Sequence, residues 1–479
     1  GMNSSEAETR TVSFIGLMNY TLLNRYVFHA SLNAEGNSAM GRNKRMGYFP
    51  AAGIAWNLQN ESFMESLRDR WLDEAKIRVS VGQSGRAPSG TSIYLGAYVK
   101  GDNYMNMSGT KPERMQLDDL HWETSTEYNY GADVMLFGGR LKFTFDYYQK
   151  YIKDLLQKDY KLPSSTGFGS MRYYNSGKME NKGWEFRADA IFWKNKDWQI
   201  SGYVNLSRNE NRITELPGNM AQETYEANNG KYAARVEVGQ PVGAFYGYRY
   251  LGVYKDKDAT YARDASGNIM NDVHGKPIVM KNLTKACQPG DAIYEDINHD
   301  GVINQYDIVY LGNYNPVLTG GAGLTVKYKQ VSLSAFFHGR FGQSIVNTAR
   351  MNNESMYSDD NQSTAVLRRW RNEGDVTDIP RALYKEGYNY LGSDRFVEDA
   401  SFIRLKTLTL NYLFPKKICN RLGINTLSCF VTGYNLFTWT NYTGQDPEVE
   451  IPTKPTDLAE DKATTPVSMR FAFGINLNF

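Results

Sequence analysis

The chain has 479 residues and a formal net charge of +2. This near balance argues against a nucleic-acid binder, which should carry a basic excess on one face. No stretch approaches the run of about 18 apolar residues that a transmembrane helix needs. Three cysteines, Cys287, Cys419 and Cys429, are odd in number and lack CxxC spacing. They therefore indicate neither a disulfide framework nor a zinc site.

Strict alternation of apolar and polar residues dominates the chain and predicts β-strands. In the last segment Phe471, Phe473 and Ile475 alternate with Ala472 and Gly474. The same pattern recurs from the N-terminal region onward and predicts thirteen long strands. Their predicted ranges are 12–22, 25–35, 47–57, 75–85, 122–137, 140–152, 179–193, 197–209, 320–329, 331–341, 401–413, 426–438 and 466–479.

The connections between these strands alternate between short and long. Residues 23–24, 138–139 and 194–196 are tight turns, whereas 210–319 and 342–400 are long connections. Short turns at one rim and long loops at the other are typical of an antiparallel transmembrane β-barrel, and a soluble sandwich usually keeps its loops short. The sequence therefore predicts an all-β, partial barrel of about 13 strands of a larger one, with 210–319 as an extracellular loop region.

Strand parity leads to an expectation about the rest of the barrel. If the final strand ends on the short-turn, periplasmic side, residues 1–11 would lie in an extracellular loop. Because bacterial barrels have an even number of strands, we expect an odd number upstream. In a plugged transporter of roughly 22 strands, about nine would precede this chain.

The sharpest local motif is the segment 296–307. Its oxygen-bearing side chains, together with the Val302 carbonyl, have the spacing of an EF-hand-type calcium loop, with glycine at the sixth position. The candidate ligands are Asp296, Asn298, Asp300, Val302 and Asp307. A bound Ca²⁺ would stiffen the long connection rather than catalyse a reaction. The alternative is a turn fixed by its own Asp and Asn side chains.

An aromatic run in the same long connection is the best candidate for ligand binding. Tyr246, Tyr248, Arg249 and Tyr250 combine ring faces with hydrogen-bonding groups. Such residues stack on sugars and on peptide side chains. The alternative interpretation is packing within the loop, or an aromatic girdle at the membrane interface.

Several sequence blocks resemble SusC/RagA-type TonB-dependent transporters over essentially the whole chain. The blocks are 48–56, 76–85, 122–131, 175–185, 395–405 and 435–448. The terminal Phe479 fits the aromatic end that the resemblance implies. A plug, a TonB box and the family's N-terminal domain are expected to be absent from these residues. Near Asn33 to Ser38, the family's basic and acidic pair is reduced to Glu35.

The resemblance implies a nutrient importer in the outer membrane and not an enzyme. Its implied substrates are oligosaccharides or oligopeptides. Its implied partners are a SusD-like surface lipoprotein, the TonB complex acting through the missing N-terminal part, and membrane lipid. Two other functions stay open at this point: a secreted, calcium-stabilised β-rich adhesin or binding module, and a β-rich glycoside hydrolase, which needs only a pair of carboxylates.

Overall fold

The computed structural model describes residues 8–68, 70–105, 107–217, 228–233, 235–452 and 457–479. The chain divides into two compact units. Unit 1 comprises Gly1–Asn195 and Gln199–Pro217, and unit 2 comprises Lys196–Trp198 and Gly218–Phe479. In the described residues, no helix is long and apolar enough to cross a membrane.

Unit 1 is built on long strands that pair antiparallel with their neighbours in chain order. Trp198, the first residue of the last of these strands, is assigned to unit 2. The strands are β1 (Thr11–Leu22), β2 (Tyr26–Asn37), β3 (Met46–Asn57), β4 (Leu72–Arg86), β5 (Glu123–Leu136), β6 (Leu141–Lys153), β7 (Lys178–Lys194) and β8 (Trp198–Glu215).

Shorter elements fill the connections of unit 1. Two small hairpins decorate the long connections, formed by Ala97–Tyr104 with Met107–Arg114 and by Leu156–Lys161 with Ser170–Asn175. The other elements are the helix Glu65–Arg68 and the 3-10 turns Leu58–Asn60, Ser62–Met64 and Ser164–Thr166.

Unit 2 contains five further long strands, which also pair antiparallel in chain order. They are β9 (Leu318–Tyr328), β10 (Val331–Phe341), β11 (Phe402–Leu413), β12 (Thr426–Thr440) and β13 (Arg470–Asn478). The helix Lys416–Arg421 joins β11 to β12. All thirteen predicted strands are thus present, and the prediction of an all-β, antiparallel chain is confirmed.

The tight turns were predictable from the residues between the strands. Leu23 and Asn24 have φ angles of 53° and 56°, and Gly138 and Gly139 have 66° and 75°. Two successive residues with positive φ form the turn whose twist suits a β-hairpin. These turns fix the register, which in turn decides the face to which every side chain of the strand points.

The long connections of unit 2 are folded, which the strand prediction did not anticipate. The predicted loop 210–319 begins later, since β8 continues to Glu215. Beyond it, short strands surround a buried cluster that we call the loop core, which includes Tyr246, Tyr248, Tyr294 and Ile303. The short strands of all the long connections of unit 2 are Ala244–Gly247, Tyr250–Val253, Lys281–Asn282, Lys285–Ala286, Ala292–Tyr294, Val302–Ile303, Val309–Asn313, Ser344–Val346 and Val397–Asp399.

Helical turns complete unit 2, and two of them contribute Met351 and Phe396 to a second buried cluster that also contains Phe245 and Tyr442. The α-helix is Thr348–Asn353, and the 3-10 turns are Asp258–Thr260, Gln305–Asp307, Thr364–Arg368 and Asp394–Phe396. The described residues of the long connections therefore form a body with its own apolar core.

Candidate functional site

The long strands of unit 1 have one apolar and one polar face. One cross-strand row is apolar and runs through Ile77, Ala132, Phe145, Phe186 and Leu206. The adjacent row on the other face runs through Arg78, Gly131, Asp146, Glu185 and Ser207. Because successive side chains of a strand point to opposite faces, five strands share this division.

An ion-pair cluster spans three strands on the polar face. Arg78 Nε lies 2.8 Å from one carboxylate oxygen of Asp133, and Arg78 Nη2 lies 3.1 Å from Asp146. The guanidinium reaches Asp146 by crossing Gly131. A Cβ at residue 131 would lie 2.6 Å from the Arg78 guanidinium carbon and 2.7 Å from Asp146 Oδ1. Glycine at this position therefore makes the ion pair possible.

Beside this cluster lies a polar depression of about 540 Å³. Tyr148 crosses Gly183 and donates a hydrogen bond of 3.0 Å from its hydroxyl to Asn209. The lining offers carboxylates, amides, a phenol and one ammonium group, which together hydrogen-bond hydroxyl-rich or amide-rich solutes. The lining residues are Glu127, Asn129, Asp146, Tyr148, Lys150, Ile152, Asn181, Glu185 and Asn209.

In unit 2, a buried arginine fastens a loop to the strands. Arg404 on β11 is only 3% exposed, and its nitrogens lie 2.5 Å from Asp446 and 2.7 Å from Glu448. Its third nitrogen donates to the Thr438 hydroxyl at 2.8 Å. Lys406 adds a contact of 2.7 Å to Glu448. The guanidinium thus satisfies all its nitrogens while neutralising two loop carboxylates.

The segment 296–307 coils around its own side-chain oxygens. The Asp296 carboxylate accepts the N–H groups of Asp300 and Gly301, and the Asp300 carboxylate accepts that of Val302. Gly301 has a φ of 81°, in the left-handed region that favours glycine. Asp307 is fully buried and accepts the N–H groups of Ile297 and Asn304 at 2.9 and 2.8 Å.

Burial and the nearby Asp296 and Asp300 carboxylates raise the pKa of Asp307, although its two backbone hydrogen bonds act in the opposite direction. In the described ranges, no three His, Cys, Asp or Glu side chains form a group that could hold a metal. The predicted ligand set, however, also draws on the Asn298 amide and the Val302 carbonyl. Both alternatives for this loop, a calcium site and a turn fixed by its own Asp and Asn side chains, predict this pattern of Asx turns.

The four predicted ligand-binding residues occupy different environments. Tyr246 and Tyr248 are fully buried in the loop core, and Arg235 stacks 4.5 Å over the Tyr246 ring. Neither ring presents a face to a ligand, so loop packing describes these two tyrosines and corrects the ligand-binding hypothesis for them. Arg249 is half exposed and lies 2.6 Å from Glu295.

Tyr250 is intermediate between these extremes. Its hydroxyl donates to the Asp378 carbonyl at 2.8 Å, and the Arg395 guanidinium lies 5.2 Å from its ring centre. Burial raises its pKa to about 12. Of the predicted set, only Arg249 and Tyr250 keep surface that a ligand could contact.

The fold and the two-faced strands are those of a protein that forms part of the wall of a β-barrel. A family model described as "TonB dependent receptor-like, beta-barrel" matches residues 1–274, and the chain belongs to this family. TonB-dependent receptor P3 of Formosa agariphila is 30% identical over 98% of this chain and 46% of its own length. TonB-dependent receptor SusC of Bacteroides thetaiotaomicron is 29% identical over 98% and 44%.

Solved structures agree with this fold. The structure of the RagAB peptide transporter superimposes with a TM-score of 0.77 and 24% identity, over 99% of this chain and 48% of that one. The chain therefore spans about half the length of the relatives it matches. It is a TonB-dependent receptor-like β-barrel protein of the outer membrane, and the relatives named above are receptors and transporters rather than enzymes. Family membership sets aside the adhesin and glycoside hydrolase alternatives.

Sequence reasoning singled out the loop 296–307, whose metal binding stays a prediction, but missed Arg78 and Arg404 as centres of ion clusters. Alternation places Arg78 on the face of the strand opposite the apolar one. A charged residue within a strand was the one sequence signal that could have indicated an ion cluster there. Its partners lie 55 and 68 residues away along the chain. Only the register of β4, β5 and β6 brings them together.

Proposed function

We propose that this chain forms part of the wall of a TonB-dependent importer of oligosaccharides or oligopeptides. The observation that supports this proposal most directly is the continuous polar face of β4 to β8, centred on the depression beside Asp146. In this proposal, that face lines the route of the solute, and the apolar face contacts lipid. TonB would supply the driving force through another part of the full-length protein.

The proposed extracellular partner is a SusD-like lipoprotein. Support comes from the ordered long connections of unit 2, because a folded body offers a partner a fixed surface at low entropic cost. The names SusC and RagAB among the relatives point to the same kind of pairing. Co-purification of the full-length protein with its lipoprotein neighbour tests this pairing, and recovery of the barrel alone from gently solubilised membranes would contradict it.

Uptake by the full-length protein in a strain lacking it tests the route. We expect TonB-dependent uptake of one of the two solute classes. Glu185→Gln together with Tyr148→Phe should slow it at least about tenfold, since the loss of even one hydrogen bond to a charged group costs about 1.5–3 kcal/mol. Phe186→Leu is the matched control, because Phe186 lies on the apolar face of the strand that also carries Glu185. This variant should leave the uptake rate unchanged. Equal uptake rates in all variants would contradict the proposal that the polar face lines the route of the solute.

We further propose that the loop 296–307 binds Ca²⁺. Support comes from the donor chemistry of Asp296, Asn298, Asp300, the Val302 carbonyl and Asp307. A buried carboxylate beside two others is costly when ionised, and a divalent cation would offset that cost. The ion would stiffen the loop core around Ile303 and leave the polar face of the strands unchanged.

Calcium should protect residues 210–319 from protease, and Asp296→Ala with Asp300→Ala should abolish that protection. Asp264→Ala with Asp272→Ala, which removes two similar Asx turns, is the control and should retain it. Wild-type cleavage that does not respond to calcium would leave the segment as a simple turn.

The raised pKa of Asp307 gives this protection a pH dependence. Without metal, the unfolded loop loses its proton at lower pH than the folded loop. The stability contributed by Asp307 is therefore full below the ordinary carboxyl pKa and is lost as pH rises through the raised value. Calcium needs the ionised form, so protection should be strongest at neutral pH and fade as the pH approaches the carboxyl range. Protease titrations at several pH values measure this trend.

A further inference from the structure

The short-turn end of unit 2 carries an uneven distribution of charge. Its three turn segments, which we call the basic rim, are residues 196–198, 329–330 and 414–425. Backbone hydrogen bonds join them, from Lys329 N–H to the Asp197 carbonyl at 2.7 Å and from Leu413 N–H to the Gln330 carbonyl at 2.9 Å. The basic rim contains one carboxylate, Asp197, and five exposed cations: Lys196, Lys329, Lys416, Lys417 and Arg421.

Three of these cations lie on the helix Lys416–Arg421. Among the described residues, no carboxylate forms an ion pair with Lys416, Lys417 or Arg421. Two cations in the turns of unit 1 are paired, Arg25 with Glu61 at 3.2 Å and Arg68 with Glu65 at 3.7 Å. The helix Lys416–Arg421 therefore presents positive charge that no ion pair of the described residues compensates.

Apolar side chains accompany the charge. Ile418 and Leu422, which are four residues apart and so share one side of the helix, are 41% and 61% exposed. Cys419, the residue after Ile418, is buried and anchors the helix. Two aromatic residues of the rim pack on residues just outside it: the ring centres of Trp198 and Tyr328 lie 4.4 Å apart, and those of Phe414 and Tyr412 lie 4.9 Å apart. Cations beside exposed aliphatic and aromatic groups are the composition of a surface that lies at a membrane interface.

We propose that the basic rim binds anionic phospholipid headgroups in the periplasmic leaflet. Short turns of outer-membrane barrels face the periplasm. There Lys416, Lys417 and Arg421 meet phosphates, while Ile418 and Leu422 enter the boundary of the acyl chains. Charge complementarity specifies this occupant, because a patch with five cations and one carboxylate attracts anionic lipid and gains little from a zwitterionic one.

The test uses the full-length protein reconstituted in vesicles of phosphatidylcholine with one-fifth phosphatidylglycerol. Spin-labelled analogues of both lipids report which one the protein prefers. The wild type should prefer phosphatidylglycerol. Lys416→Gln, Lys417→Gln and Arg421→Gln together should lower that preference at least about fivefold at low salt, since each cation near an anionic surface contributes roughly that factor. High salt should lower the wild-type preference in the same direction.

A matched control removes three exposed cations from the long connections, through Lys276→Gln, Lys281→Gln and Lys285→Gln, and should retain the preference. Ile418→Ser with Leu422→Ser should keep the preference for phosphatidylglycerol but lower the immobilised fraction of both lipids. Heat-modifiable migration checks that each variant is folded. An unchanged preference in the rim variant, or an equal loss in the control, would overturn the proposal. A wild type without any preference, whose rim lysines instead crosslink to a periplasmic protein, would overturn it as well.

Discussion

Replacing Arg404 with methionine is expected to destabilise unit 2 by about 3–5 kcal/mol. Removing one partner of a buried ion pair leaves the other charge without compensation. Arg404 neutralises both Asp446 and Glu448, and Lys406 reaches only Glu448. Asp446 also accepts the Val467 N–H at 3.2 Å. Without Arg404, we expect the loop that carries Asp446 and Glu448 to detach from β12 and β13, the two strands that it connects.

Limited proteolysis between Tyr442 and Val467, together with denaturant unfolding in detergent, measures this effect. Arg404→Lys should give an intermediate loss, because an ammonium group cannot bridge two carboxylates as a guanidinium does. Lys462→Met is the control, since Lys462 is 63% exposed and pairs with Glu460 at 3.3 Å. An exposed pair contributes only about 0–1 kcal/mol. Equal losses for Arg404→Met and Lys462→Met would contradict a structural role for the buried cluster.

The strands could be predicted from the sequence because their physical cause is local. A strand between lipid and a polar lumen must alternate, and the terminal residues Phe471, Phe473 and Ile475 display that alternation directly. The structure assigns all three to β13 and leaves them exposed. The turn at Leu23 and Asn24 is equally local. Boundaries differed by a few residues, as at β8, because pairing with β7 continues to Glu215.

The loop core could not be predicted because its contacts are distant in sequence. Tyr250 donates to the carbonyl of a residue 128 positions away. The run from Tyr246 to Tyr250 looks equally suited to stacking on a ligand and to packing in a core, since both use the same ring faces. Burial decides between these two roles, and burial depends on the fold of residues 228–400 as a whole.

Replacing Phe145 with arginine is expected to destabilise the barrel by about 2–4 kcal/mol, the cost of a lipid-facing charge near the bilayer midplane. Phe145 lies in the middle of β6 between Ala132 and Phe186, and it is 43% exposed on the apolar face. Phe145→Leu separates the loss of the ring from the gain of a charge and should cost less than about 1.5 kcal/mol.

Thr144→Arg is the matched change on the polar face, one residue away on the same strand. Its neighbours across the strands are Asp133 and Arg187, so the new charge meets both a carboxylate and a cation in a hydrated lumen. We expect a change within about 1 kcal/mol, because an exposed ion pair adds or removes little. Urea titrations of the full-length protein folded into lipid vesicles measure both variants. If arginine is tolerated at residue 145 and destabilising at residue 144, the two faces are reversed. In that case the depression beside Asp146 faces lipid and cannot line a route for solutes.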